Sequence, residues 1–225
     1  MVGVLEELGL YPSEIIGLIE ICSVARQWNL ETNVGVRVAM SLGDALNLIY
    51  RSGVDLSTVE MVKRGEGEGN SLRDYTVVDL VNSSFESAIL SGAALKVIGS
   101  NQGLTSNPLL RAYLDSRGVQ AHYFFSGAFC QAYPGHFDLA DAVVIQIVGC
   151  KDWQLWPTLP PGDVRRSTRR WCFEDGHELL QIHAGECLTM PAYTPHIVSS
   201  NFIPSAHLAL AIRGAGSGHL ASENN

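Results

Sequence analysis

The chain has 225 residues, 46% of them hydrophobic and 17% charged, a balance that supports one compact core and excludes disordered, collagen-like and coiled-coil classes. Twenty-three acidic against 15 basic side chains give a net charge of -8, so neither nucleic acid nor an anionic membrane surface is an expected partner. No apolar run reaches the roughly 18 residues of a membrane span, and Glu6 and Glu7 stand where a secretory signal would be basic, so the expected location is the cytoplasm. Five cysteines, Cys22, Cys130, Cys150, Cys172 and Cys187, are scattered without a C-x-x-C pair. They are expected to be small buried residues rather than a disulfide framework or a thiolate zinc site. Lysine is scarce: only Lys63, Lys96 and Lys151 occur.

Along the chain, the first half carries helix signals. Ser13 precedes Ile15, Ile16, Leu18, Ile19 and Cys22, an apolar stripe at helical spacing behind a capping residue. Ser41 with Asp44 three positions on predicts a second helix through Leu42, Ala45, Leu46 and Ile49 that stops at Gly53. The segment Gly65 to Asn70 is glycine and glutamate with one asparagine and predicts a surface loop, with the border of a substrate entrance as the alternative. A third helix has Asn107 as N-cap, Pro108 at its first position and Gly118 as stop.

From about residue 92 the texture changes to short apolar runs between turn residues: 94–98, 119–125, 142–148, 154–156, 179–182, 187–190 and 208–212. So many strands with room for one helix exclude a parallel α/β sheet and predict a mainly β sandwich or barrel. The expected organisation is a helical N-terminal portion over 1–91, a barrel over 92–213 and a small polar tail over 214–225.

Three places carry chemistry. In His136-Phe137-Asp138, an extended backbone would turn an imidazole and a carboxylate to the same face. In the stretch from Gly185 through Pro191 and Pro195 to His196, two prolines fix a bend that presents a second imidazole at a strand edge. Two histidines and one carboxylate are the set that leaves open positions on iron(II). Lys151 closes the apolar run before Trp153 and Trp156, where an unpaired ammonium is costly. It either meets an anionic ligand, or reaches solvent or Asp152. Trp153, Trp156, Tyr123 and Phe125 are candidates for the apolar surroundings, although aromatics at strand spacing are more often plain core.

The segment from His136 and Asp138 through Lys151, Trp153 and Trp156, followed by a G-x5-P-x3-P-H stretch ending at His196, resembles the JmjC-type cupin oxygenases. The likeness is to the branch with ribosomal-protein hydroxylases and an asparaginyl hydroxylase. It covers roughly residues 92 to 213 and implies a double-stranded β-helix, the cupin or jelly-roll barrel. It also implies Fe(II) on His136, Asp138 and His196, with dioxygen and 2-oxoglutarate as cosubstrates. Lys151, 15 residues after the first histidine, would hold the distal carboxylate of 2-oxoglutarate. Departures fall at Tyr133, where relatives often carry Thr or Ser, and at His207, where many carry Asn or Ser. Each is a candidate donor to the cosubstrate, and His207 is alternatively a satisfied core histidine.

Arg165, Arg166, Arg169 and Arg170 cluster between Lys151 and His196. They form either a solvated loop or a clamp for a substrate carboxylate or phosphate. Few residues follow His207 in the sequence, so the accessory domains of the ribosomal-protein hydroxylases are not expected here. The expected reaction is therefore hydroxylation of an unactivated C-H bond in a small molecule, amino acid or short peptide, in specialised metabolism. A protein side-chain hydroxylase and a non-redox metal cupin, an isomerase or dehydratase, are the alternatives. Oligomeric state is open, with a homodimer among the options.

Overall fold

The computed structural model describes residues 2–24, 29–31, 40–51, 59–62, 85–160 and 176–213. The predicted helix stop at Gly53, the loop 65–70, Cys172, the arginines at 165–170 and the tail 214–225 lie outside the described residues.

The helices are α1 (Val4–Glu7), α2 (Pro12–Val24), α3 (Leu42–Arg51), α4 (Phe85–Leu90), α5 (Asn101–Leu104) and α6 (Pro108–Ser116). The strands are β1 (Asn29–Glu31), β2 (Val59–Val62), β3 (Ala94–Gly99), β4 (Val119–Ser126), β5 (Asp141–Val148), β6 (Cys150–Leu155), β7 (Glu178–His183), β8 (Cys187–Met190), β9 (His196–Ser200) and β10 (Ser205–Ile212).

Local chemistry explains where the helices begin. Asn107 accepts from the backbone N–H groups of Leu109 and Leu110 at 3.0 and 3.1 Å and Pro108 follows it, as expected for α6. At α3, Asp44 N–H donates to Ser41 Oγ at 3.1 Å while the Asp44 carboxylate accepts from Ser41, a reciprocal cap. Helix α2 begins at Pro12, earlier than a cap at Ser13 would allow. Glu14 caps it instead, accepting from Tyr11 N–H at 2.8 Å.

Seven strands form one sheet in the order β1-β8-β5-β10-β4-β3-β2 and three form a second in the order β7-β6-β9, with every pairing antiparallel. The architecture is mainly β, the two-sheet jelly roll expected of a double-stranded β-helix. Helices cover one side of it, but 1–91 is not only helical: β1 and β2 extend the large sheet at its two edges. Strand β6 starts at Cys150, four residues before the run anticipated from hydropathy, and β9 was not anticipated.

The large sheet is buried on both faces, which is why β5 is apolar at every position from Ala142 to Val148 except the buried Gln146. One face, with Val143, Ile145, Leu208, Leu210, Tyr123 and Phe125, packs under the helices against Ile15, Leu18 and Ile19. The alternate residues Ala142 and Val144 turn the other way and pack with Trp153, Leu155, Ile182 and Met190 between the sheets. Tyr123 and Phe125 therefore belong to the helix-facing core, the plain-core alternative, and it is Phe124 that faces the inter-sheet space.

The chain crosses from the large to the small sheet at Gly149. Its φ is +64°, and an added Cβ would stand 2.7 Å from the Pro204 carbonyl oxygen. Only glycine fits both demands. That tight crossing is what delivers Lys151 to the inside of β6.

Candidate functional site

Two backbone devices bring the distant halves of the site together. His136 and His196 exchange hydrogen bonds as an isolated antiparallel bridge, His196 N–H to His136 O at 2.7 Å and His136 N–H to His196 O at 3.1 Å. Tyr193, at φ +64° within the two-proline bend, donates its N–H to the Asp138 carbonyl at 2.8 Å. The first device aligns the imidazoles, and the second holds Asp138 against them. His136 thus lies in a single bridge rather than the regular strand its sequence suggested.

One donor atom each from His136, Asp138 and His196 lies within 4.8 Å of the others. His136 Nε2 and His196 Nε2 are each 3.9 Å from an Asp138 carboxylate oxygen. In both rings Nδ1 faces a carbonyl, Pro134 O at 2.8 Å and Thr194 O at 2.9 Å. A carbonyl only accepts, so the proton sits on Nδ1 and the Nε2 lone pair points to the common centre. Burial, reinforced by neighbouring His136, holds the His196 pKa well below its ordinary value, so that ring stays neutral. Side-chain exposure is 4% for His196, 29% for His136 and 54% for Asp138, so the cluster is walled on one side and open on the Asp138 side. Two imidazoles oriented by backbone carbonyls and one carboxylate suit a divalent first-row metal.

The cluster opens on a cavity of about 150 Å³ between the sheets. Lys151, 2% exposed, lines it. Its Nζ lies 2.9 Å from His207 Nδ1 and donates a longer bond to Phe124 O at 3.4 Å. Burial lowers the Lys151 pKa to about 7. Burial comes first, and then Lys151 and His196, in lowering that of His207, which therefore accepts through Nδ1 and keeps its proton on Nε2. The His207 ring also stacks on Phe124 at 4.8 Å.

Trp153 lines the same cavity, and its buried Nε1–H meets no acceptor among the described residues. A buried ammonium and an unsatisfied indole donor on one wall fit a ligand rich in acceptor oxygens. Tyr133 also lines the cavity, edge-on to Phe124 at 6.2 Å. Trp156, by contrast, packs on His177 at 5.0 Å rather than lining the cavity. Lys96, Phe124, Ser126 and Ser200 line it too and were not anticipated. The signal that could have found Lys96 and Phe124 is strand parity, once Tyr123 and Phe125 are placed in the core. Cys22, Cys130 and Cys187 are buried, Cys150 is half-buried, and none of the four is in a disulfide.

Comparison with known proteins adds three findings. Residues 104–219 match the JmjC domain family. No curated protein matches the sequence. Among solved structures, the ribosomal oxygenase YcfD from Escherichia coli in complex with cobalt and 2-oxoglutarate superposes with a TM-score of 0.61 at 14% identity, over 89% of this chain and 52% of that one. The same oxygenase with cobalt and succinic acid gives 0.56 at 15%, again over 89% and 52%. The chain thus spans about half the length of the solved proteins it matches, and the shared property is the fold. No helix among the described residues is long and apolar enough to cross a membrane.

Proposed function

The chain belongs to the JmjC-domain family, and from that premise we propose that it is an iron(II)- and 2-oxoglutarate-dependent oxygenase. The observation that carries the reading is the joining, in one cavity, of three converging metal donors with an enclosed lysine. A non-redox metal cupin would use the donors but has no need of the ammonium.

His136, Asp138 and His196 would hold the metal, and Lys151 would neutralise the distal carboxylate of 2-oxoglutarate. When bound, iron, 2-oxoglutarate and dioxygen supply the oxidising power that converts a C-H bond to C-OH, with succinate and carbon dioxide as coproducts. The protein's own part is positioning and exclusion. Nδ1–H bonds to Pro134 O and Thr194 O fix the two imidazoles. Three protein donors leave further positions for exchangeable ligands. His207 accepts from Lys151 and so fixes the direction of the ammonium. Trp153 Nε1–H stands ready to donate to a carboxylate oxygen, and the Phe124, Trp153 and Tyr133 rings keep water from the reacting centre.

For the substrate we favour a small molecule, amino acid or short peptide hydroxylated at an unactivated carbon. A protein side-chain substrate is the second reading, favoured by the shared fold with the E. coli ribosomal oxygenase. The direct test is anaerobic addition of Fe(II) and then 2-oxoglutarate. A weak visible charge-transfer band is expected, and its absence in protein shown to bind iron overturns the cosubstrate assignment. Succinate formation in air without substrate separates this reading from the non-redox cupin.

A further inference from the structure

The bend that delivers the last metal donor is held by a carboxylate that is not itself one of the donors. Residues 191–195 leave β8 after Met190 and enter β9 at His196. Asp141, the first residue of β5, accepts through Oδ1 from the Ala192 N–H at 2.8 Å. The next N–H along the bend, that of Tyr193, donates to the Asp138 carbonyl at 2.8 Å. Two successive N–H groups are thus taken by residues three apart in the segment that also carries His136, one by a side chain and one by the backbone. Tyr193 stands at φ +64°, in the left-handed region that turns consecutive N–H groups toward one side of the chain. Asp141 supplies a negative acceptor on that side.

The rest of the bend is fixed by other means. Cys22 Sγ–H on α2 donates to Ala142 O at 3.4 Å and to Met190 O at 3.3 Å, which clips β5 to β8 just before the bend begins. On the far side, Trp156 N–H donates to Pro195 O and Leu159 N–H to Tyr193 O, each at 3.0 Å. The Thr158 and Thr194 hydroxyls pair at 2.8 Å, and the Thr194 carbonyl faces His196 Nδ1 at 2.9 Å. The His196 end therefore has several supports, whereas at the Ala192 end, beside Asp138, the support comes from the Asp141 carboxylate. Asp141 belongs neither to the group of converging donors nor to the cavity lining, so any effect it has on the site is carried through the bend.

We propose that Asp141 is a positioning residue of the metal centre. Its carboxylate fixes the Ala192–Tyr193 turn and so sets how Asp138 stands against His196. The inference rests on the reading of His136, Asp138 and His196 as metal ligands and adds to it a residue that touches no metal. What counts is the place of an acceptor oxygen rather than the charge.

The test compares wild type with Asp141→Ala, Asp141→Asn and Asp141→Glu in the full chain, by Co(II) titration and by the visible d–d spectrum of the Co(II)-saturated protein. Asparagine keeps an acceptor oxygen in place without the charge, and glutamate keeps the charge but carries its oxygens one methylene farther. Asp141→Ala should weaken Co(II) binding by about 10-fold or more, the usual effect of losing a partner behind a metal ligand, and should shift the d–d bands. Asp141→Asn should stay within about threefold of wild type and keep its spectrum, and Asp141→Glu should bind more weakly than Asp141→Asn. A role in folding alone would lower the melting temperature of the metal-free variants and leave the spectrum of the saturated site unmoved. An Asp141→Ala variant with the wild-type Kd and spectrum overturns the proposal. So does Asp141→Glu binding as well as Asp141→Asn or better, which would make charge the operative property. Should Asp141→Ala fail to fold, the asparagine and glutamate pair gives the same decision. Wild-type protein that binds no Co(II) removes the metal-centre reading and this inference with it, whereas wild-type binding that all three variants match removes the inference alone.

Discussion

Lys151 Nζ lies 2.9 Å from His207 Nδ1, a cation donor facing an imidazole acceptor, and among the described residues no carboxylate is hydrogen-bonded to either. Burying an ammonium without a counter-ion is costly, and one neutral acceptor compensates only part of that cost. The depressed Lys151 pKa, about 7, expresses the same penalty. Under the proposed function, an anion bound beside this pair would relieve that cost.

Replacing Lys151 by Met should therefore act in opposite directions on stability and on binding. The folded pKa, about 7, is below the ordinary 10.5, so the unfolded chain binds more protons between these values. The penalty is full below pH 7 and fades as pH rises toward 10.5. Lys151→Met should raise the melting temperature of the ligand-free protein at pH 6.5 by about 2–4 °C for each kcal/mol relieved, with a smaller gain at pH 9.5. The same variant should lose 2-oxoglutarate binding by about 100-fold or more. Differential scanning fluorimetry and anaerobic calorimetry read the two effects, and a variant that melts earlier at pH 6.5 contradicts the account.

The same linkage gives cosubstrate binding a pH slope. A dicarboxylate requires Lys151 protonated, and with a free-state pKa of about 7 the affinity should fall about tenfold per unit above that pH. Binding at pH 8 should take up close to one proton and binding at pH 6 almost none. Titrations in two buffers of different ionisation enthalpy measure the uptake; equal uptake at both pH values removes Lys151 as its source.

Asp138 separates metal binding from folding. Its side chain is 54% exposed, and the bond that ties it to the proline bend uses its backbone carbonyl, which accepts from Tyr193 N–H at 2.8 Å. Asp138→Ala keeps that bond. The melting temperature of the metal-free protein should shift by less than about 2 °C, within the range of an exposed substitution. Co(II) affinity should weaken by at least about 10–100-fold, the effect that even an indirect metal contact produces, with loss of turnover. Undiminished Co(II) affinity would sink the assignment of this carboxylate as a ligand.

Much of this site was legible in the sequence because its signals are local. His136 and Asp138 are two residues apart, His196 follows a two-proline bend, and Asn107-Pro108 starts a helix without help from distant residues. What was not legible depends on pairing. The short strands β1 and β2 exist only because β8 and β3 offer them an edge. Which of Tyr123, Phe124 and Phe125 faces the cavity is a matter of parity, and each is equally aromatic. Parity is set by the helices that claim one face of β4. Lys96 had no local signal, since its place on the cavity wall comes from being level with Phe124 across two strands.

Gly149 ties the fold to the site most directly. A non-glycine residue there must take a φ of +64° and place its Cβ 2.7 Å from Pro204 O, a backbone atom that cannot move without disturbing the start of β10. Gly149→Ala should cost about 1–3 kcal/mol, lowering the melting temperature by roughly 3–10 °C for a chain of this size. The consequence for function follows from position. Lys151 is two residues on, and His207 lies near the beginning of the strand that Pro204 precedes. A strained crossing should therefore loosen the Lys151–His207 pair and weaken 2-oxoglutarate binding, while metal affinity, held at the other end of β9 by His196, changes by less than about threefold. Calorimetric Kd values for 2-oxoglutarate and Co(II) on the same preparation provide the comparison. An equal loss of both would mean that the whole barrel, rather than the Lys151 end, depends on this turn.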